Sequence, residues 1–203
     1  MFTVYWMIFG ALALAAGAAI LGAWLRRHPT KSGAEKTSRV MHFLFFAGMV
    51  SPGTVAFLYP GYQNIDKLVG IPSLPCRAAS LGLGIVLAVP ALYLLVVSNQ
   101  LLRSLGQGAN AFRLTHKIVE SDIYARTRNP MSLGFYFGAL AVGLIAGSTF
   151  TTLGALLGTI PAHLLFLRYF EEEELRLRFG DAYHEYRRHT PFLVPKLTAP
   201  DRG

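Results

Sequence analysis

Charge is scarce in this chain. Only 15% of its 203 residues are Asp, Glu, Lys or Arg, against about 25% in a typical soluble domain. Cysteine is nearly absent as well: Cys76 stands alone, which excludes an intrachain disulfide and any metal site built on a cysteine pair. There is no His-Glu-x-x-His stretch and no cluster of Cys and His, so no resident metal is expected. The apolar amino-terminal run, MFTVYWMIFGALALAAGAAILGAWL, lacks the basic opening of a signal peptide and is longer than a signal's apolar stretch before it reaches Arg26-Arg27. It reads as a retained first span. The net charge of +8 does not point to nucleic acid, because the basic residues sit in loops between apolar runs and 14 Phe and 9 Tyr are spread through the chain.

Apolar sequence is what the chain has in quantity. Hydrophobic residues make up 53% of it, gathered in runs close to the roughly 20 residues that a helix needs to cross a bilayer. The expected fold class is all-α: a polytopic membrane protein with about five transmembrane helices and a helical segment at its carboxyl end. The runs cover 2–25, 40–59, 78–102, 130–147 and 150–170. Residues 1–203 read as one membrane domain, with three spans in 1–102 and the longer polar stretches in 103–203. Pro52-Gly53, Pro90 and Pro161 fall inside runs, where kinks are expected. Pro130 suits the first turn of the fourth helix, Ser148-Thr149 a tight turn, and Gly180 a helix end. The fifth run is expected to continue as the helix EEEELRLRF up to Gly180, and a short amphipathic helix is predicted over 181–189.

Loop charge orients the chain. Arg26, Arg27, Lys31, Lys36 and Arg39 lie in the first loop, and Arg103, Arg113, Lys117, Arg126 and Arg128 in the third. The second loop holds only Lys67 and Arg77, and the fourth has no charge. Positive loops stay in the cytoplasm, so the amino terminus is expected outside and the carboxyl terminus inside. Two polar stretches then share the cytoplasmic face: HKIVESDIYARTRNPMSLG at 116–134 and the acidic run Glu171 to Glu174.

Each stretch admits a plain reading beside a chemical one. Helical spacing pairs Glu172 with Arg176 and Glu174 with Arg178, with Glu173 and Glu174 on a solvated face, whereas Glu171 and Glu172, nearer the membrane, need partners. Arg128 beside a helix start serves either an anion or a membrane anchor with Asn129 as the helix cap. His163, inside the fifth run, has either a buried role or a hydrogen bond to a neighbouring helix. Gly134, Gly138, Gly143 and Gly147 permit close helix contact. Gly106-Gln107-Gly108 alone is too little for a phosphate loop.

In order and spacing, HKIV at 116–119, IY at 123–124, RNPMSLG at 128–134 and Glu171-Glu172 ahead of LRLRFGDAYHEYRRHTP resemble a known family. These are the isoprenylcysteine carboxyl methyltransferases and phospholipid methyltransferases, integral membrane enzymes that use S-adenosylmethionine. The resemblance covers about 106–195. Asn129 stands where the family has histidine, and Ser132 where it has tyrosine. The resemblance implies a cofactor pocket of His116, Ile118, Val119, Tyr124, Asn129, Pro130, Glu171 and Glu172, with Arg128, Asn129 and Glu172 at the reacting centre. It places Tyr183 and Arg187 near the substrate headgroup.

The implied reaction moves a methyl group from S-adenosylmethionine to a lipophilic acceptor: an isoprenylcysteine-like carboxylate, a phospholipid amine or a thiol. The acceptor is expected to enter from the bilayer and the cofactor from the cytoplasm. The expected partners are a lipophilic or lipid-modified substrate and membrane lipids, not nucleic acid. Two rival readings are a membrane oxidoreductase of the sterol reductase type and a non-enzymatic scaffold or transporter component.

Overall fold

A computed structural model describes residues 1–107 and 115–196. Arg113, counted above for orientation, and Gly108 lie outside the described residues. Within them the chain is helix, turn and loop, without strand. The helices are α1 (Phe2–Arg27), α2 (Lys31–Leu58), α3 (Tyr62–Val69), α4 (Arg77–Ser104), the single turn α5 (Ile123–Arg126), α6 (Pro130–Ala146), α7 (Thr149–Phe179) and α8 (Asp181–His189). Four of them, α1, α2, α4 and α7, are long and apolar enough to cross a membrane. At about 1.5 Å per residue, the 17 residues of α6 cover most of the roughly 30 Å apolar layer. The protein is an all-α polytopic membrane protein. Phe9, Leu12, Val86, Val89, Leu92 and Leu157 are exposed on its outside, as a lipid-facing surface requires.

The first loop is much shorter than its composition suggests. It shrinks to residues 28–30, and Lys31, Lys36 and Arg39 ride on α2. Thr30 caps this helix, its hydroxyl accepting from the Gly33 amide at 3.1 Å. Ala34, Ser38 and Met41 are buried at i, i+4 and i+7, so one stripe packs inward while the charges face out. The second loop likewise contains helix α3. The fifth run continues as helix through the acidic stretch as expected, and α7 runs without a break to Phe179. Gly180, at φ +58, separates α7 from α8.

Small residues set the closest contacts. A Cβ on Gly10 would lie 1.8 Å from the Gly48 carbonyl oxygen, so α1 and α2 touch backbone to backbone there. The Trp6 indole donates to the Ala47 carbonyl at 2.9 Å across the same contact. On α6, a Cβ at Gly134 would meet the Leu94 Cβ at 2.9 Å, and on α4 one at Gly84 would meet Ile145 Cγ1 at 2.7 Å. These two contacts run α4 and α6 antiparallel in close register, and Gly134 makes the close helix contact that its spacing permits.

The turn between α6 and α7 is capped by charge from both sides. Gly147 takes φ +69 to close α6, and the Arg77 guanidinium donates to the Leu144 and Ile145 carbonyls at 3.3 and 2.6 Å. The fully buried Asp66 carboxylate accepts from the Ser148 hydroxyl and from the Thr149 and Phe150 amides at 2.8–2.9 Å. A cation at a helix end and an anion at a helix start are the favoured signs. This pins the end of the helix pair that lies away from the two polar stretches.

Candidate active site

Residue 172 is where the polar stretches meet. Glu172 is 5% exposed. Its carboxylate lies 3.2 Å from Arg128 Nη1, 3.6 Å from Arg168 Nη1 and 3.3 Å from Arg187 Nε. The Tyr183 hydroxyl donates to it at 2.7 Å. Burial, and then the carboxylate beside it, push the Tyr183 phenol up, so it stays a donor in neutral solution. Arg128 is buried with Glu172, its side chain 8% exposed, and lies 5.7 Å over the Phe192 ring. The node therefore ties the 116–134 stretch, α7 and α8 into one unit.

The carboxyl-terminal strand of chain closes over the same stretch. The Arg128 amide donates to the Pro191 carbonyl at 2.9 Å and the Lys196 amide to the Arg126 carbonyl at 3.0 Å. The Thr127 hydroxyl donates to Leu193 at 3.0 Å, and Asn129 Nδ2 to Phe192 at 2.8 Å. From α8, the Tyr186 hydroxyl donates to the Tyr124 carbonyl at 2.8 Å. Asn129 occupies the cap position of α6, but its side chain holds the tail rather than capping the helix. Its φ of −124° and ψ of 52° are non-helical, as a residue before proline must be.

Beside the node lies a cavity of about 620 Å³, within the roughly 300–1,000 Å³ of small-molecule sites. Its walls are mostly apolar. α2 supplies His42, Phe45, Phe46 and Val50, and α4 supplies Leu95, Val96, Asn99 and Leu102. Met131, Ser132 and Phe135 come from α6, and His163, Phe166, Leu167, Glu171, Glu174 and Arg178 from α7. Successive residues on a helix point about 100° apart, so Glu171 reaches the cavity while Glu172 turns to the arginines. A π-helical turn over Leu167–Glu171 sets the register just before this switch.

The acidic run pairs differently from the helical spacing. Arg176 bonds to Glu173, not Glu172, because Glu172 is already taken by three arginines. Glu174 does pair with Arg178, at 2.7 Å, but both are buried, at 3% and 6% side-chain exposure, instead of lying on a solvated face. Arg178 also donates to the Thr115 carbonyl, which joins α7 to the start of the polar stretch.

Of the residues singled out from the sequence, Glu171 lines the cavity. Arg128, Glu172, Tyr183 and Arg187 form the node. Val119 and Tyr124 pack in an apolar cluster with Ile123 against Leu94, Val97 and Leu101 of α4. Pro130 is buried at the start of α6, Ile118 is half-buried and His116 is exposed. None of His116, Ile118, Val119, Tyr124, Asn129, Pro130 or Glu172 is on the cavity wall among the described residues. Sequence reasoning passed over His42 and Arg178 as wall residues. A histidine on the apolar stripe of α2, one turn beyond the buried Ser38, was the available signal.

Residues 79–182 match the phospholipid methyltransferase family. They supply every described wall residue except the four on α2. The chain is also 40% identical over 81 residues to methanethiol S-methyltransferase 2 of Bradyrhizobium diazoefficiens, covering 39% of this chain and 29% of that protein. It is 33% identical over 84 residues to the protein-S-isoprenylcysteine O-methyltransferase of Schizosaccharomyces pombe, covering 40% of this chain and 34% of that protein. The match thus spans about a third of either relative. No solved structure matches the chain significantly.

Removing one partner of a buried ion pair costs about 3–5 kcal/mol, because the other charge is stranded. Arg128→Leu and Glu172→Leu are each expected to lower stability by that order, read as thermal unfolding in detergent. The double variant is expected to recover part of the loss. Equal, additive losses would show that the two side chains are not coupled.

Proposed function

The chain belongs to the phospholipid methyltransferase family, and from that membership and the cavity we propose that it transfers a methyl group from S-adenosylmethionine to a lipophilic acceptor. The observation that carries this reading is the cavity itself: largely apolar walls with the Glu171 carboxylate facing in, built chiefly from the family segment. S-adenosylmethionine carries an ammonium, a sulfonium and ribose hydroxyls, and a carboxylate at the rim of an apolar chamber suits such a ligand. Bound there, it supplies an electrophilic methyl group. Glu171 is the proposed partner of its amine or hydroxyl groups, with Ser132, Asn99 and the Thr115 segment as further polar contacts. Apolar walls from α2, α4 and α6 exclude water and hold acceptor and donor in line, which is worth several kcal/mol.

Within this reading the node has a supporting role. Arg128, Glu172, Tyr183 and Arg187 fix α7 so that Glu171 points inward, and Asn129 holds the tail that covers them. His116, Ile118, Val119, Tyr124 and Pro130 shape the polar stretch that borders the chamber. The first three long helices act as the frame, and 103–203 as the chemical half. For the acceptor, the relatives' names give a small thiol in one case and an isoprenylcysteine in the other, both sulfur-bearing compounds. Val96, on the cavity wall, is 44% exposed on a membrane-length helix, which supports entry of the acceptor from the bilayer. The proposed orientation has the amino terminus outside and the carboxyl terminus and cavity mouth cytoplasmic.

Two measurements test this. S-adenosylhomocysteine at about 100-fold above its Kd is expected to stabilise the protein by roughly 2.7 kcal/mol, with no stabilisation by NADPH, and Glu171→Gln is expected to weaken binding roughly 10- to 100-fold through loss of a charged hydrogen-bond partner. Stabilisation by NADPH alone would favour the reductase reading. For orientation, Cys76 is the single cysteine and is exposed at the start of α4. A membrane-impermeant maleimide is expected to label it in intact cells. Labelling only after lysis would reverse the topology.

A further inference from the structure

Two histidines from different helices share the cavity wall, and neither role follows from the family match. His42 comes from α2, outside residues 79–182. His163 comes from α7, and the Phe166 ring lies against both, at 6.4 and 5.3 Å between centroids. Their hydrogen bonds set which nitrogen carries the proton. His42 Nδ1 sits 2.7 Å from the Ser38 carbonyl oxygen. A carbonyl only accepts, so Nδ1 carries the hydrogen and Nε2 keeps its lone pair. With Nδ1 turned back to its own helix, the Nε2 edge is the one left for the cavity.

His163 has the opposite polarity. Its Nδ1 lies 3.0 Å from the Tyr136 hydroxyl, and Tyr136 is 4% exposed and stands behind the wall. No other partner for that hydroxyl occurs among the described residues, and a buried phenol hydrogen is costly to leave unpaired. Tyr136 therefore donates to Nδ1, and Nε2 of His163 is an N–H donor. The two rings thus add a neutral proton acceptor and a hydrogen-bond donor to a wall that also carries Glu171, Glu174, Asn99, Ser132 and Arg178.

We propose that His42 is the proton acceptor of this cavity and that the methyl acceptor is a neutral thiol, oriented by His163 and its positioning residue Tyr136. This rests on the methyltransferase reading and names its substrate class. An anionic carboxylate would need a cation, and among the described residues the one cation on the wall, Arg178, is held by Glu174 and the Thr115 carbonyl. An alkylammonium is a cation while it holds its proton and is charged before it enters, whereas a protonated thiol is neutral and enters so. The thiol S–H bond breaks and the proton passes to His42 Nε2. The thiolate's electron pair forms the new S–CH3 bond as the methyl group's bond to the sulfonium sulfur breaks, leaving that pair on a neutral thioether. The charged groups on the same wall are Glu171 and the Glu174–Arg178 pair.

The test uses the full chain in lipid nanodiscs with labelled S-adenosylmethionine and three probes: 1-hexanethiol, S-farnesylcysteine and phosphatidylethanolamine. Hexanethiol is expected to be labelled in preference to the other two. His42→Gln is expected to lower kcat for hexanethiol about 100-fold at neutral pH, while the Kd for S-adenosylhomocysteine stays within about twofold. The residual rate should rise roughly tenfold per pH unit as thiolate forms in solution, a recovery that a merely structural defect would not show. His42→Asn, which keeps a donor near Nδ1, is the second variant and should behave alike. Tyr136→Phe should raise KM for the thiol more than it lowers kcat. A wild-type rate in both His42 variants, or preferential labelling of the carboxylate or the amine, overturns the proposal and leaves the methyltransferase reading intact. Failure of S-adenosylhomocysteine to bind the wild-type protein overturns that reading, and this one with it.

Discussion

One carboxylate holds together the end of this molecule that carries the two polar stretches. Glu172 is the only buried acid that three arginines and a tyrosine approach among the described residues, and those five side chains come from three separate segments. Arg128 precedes α6, Arg168 and Glu172 lie on α7, and Tyr183 and Arg187 lie on α8. A buried charge must be compensated, so none of these segments can move without exposing or stranding the others. The tail from Pro191 to Lys196 adds backbone hydrogen bonds over the same place. What looks like a loose polar loop in the sequence is therefore a fastened lid on the end of the bundle.

The cavity depends on that fastening. Glu171 and Glu172 are neighbours with opposite duties: one faces the chamber and the other anchors the helix that carries both. The far end of α7 is fixed independently, by Asp66 under its first turn. A helix pinned at both ends presents His163, Phe166, Glu171 and Glu174 along one line of the cavity wall. α2, α4 and α6 make the remaining sides.

Much of the architecture was readable from the residues. Runs of apolar sequence gave five membrane-length segments, and 130–147 and 181–189 agree closely with α6 and α8. Glycine spacing pointed to close helix contact along α6, but not to α4 as the partner. Helix ends were less legible, because a charged segment such as 31–39 reads as loop until its buried stripe of Ala34, Ser38 and Met41 is counted. The site was harder still. Motif order associates Arg128 with Glu172, but does not tell which of two adjacent glutamates faces the chamber, since that depends on a π-helical turn with no local signature. Nor does spacing reveal that Asn129 reaches to residue 192 or that His42 comes to face His163. Those are long-range contacts, settled by packing and not by pattern.

The central claim is that the chamber beside Glu171 is where S-adenosylmethionine binds. A structure determined with S-adenosylhomocysteine bound tests it most directly. The account predicts ligand density inside the cavity between α2, α4, α6 and α7, with a polar group of the ligand within hydrogen-bonding distance of the Glu171 carboxylate. Ligand density on the outer side of the 116–124 stretch, against His116 and away from Glu171, would contradict it.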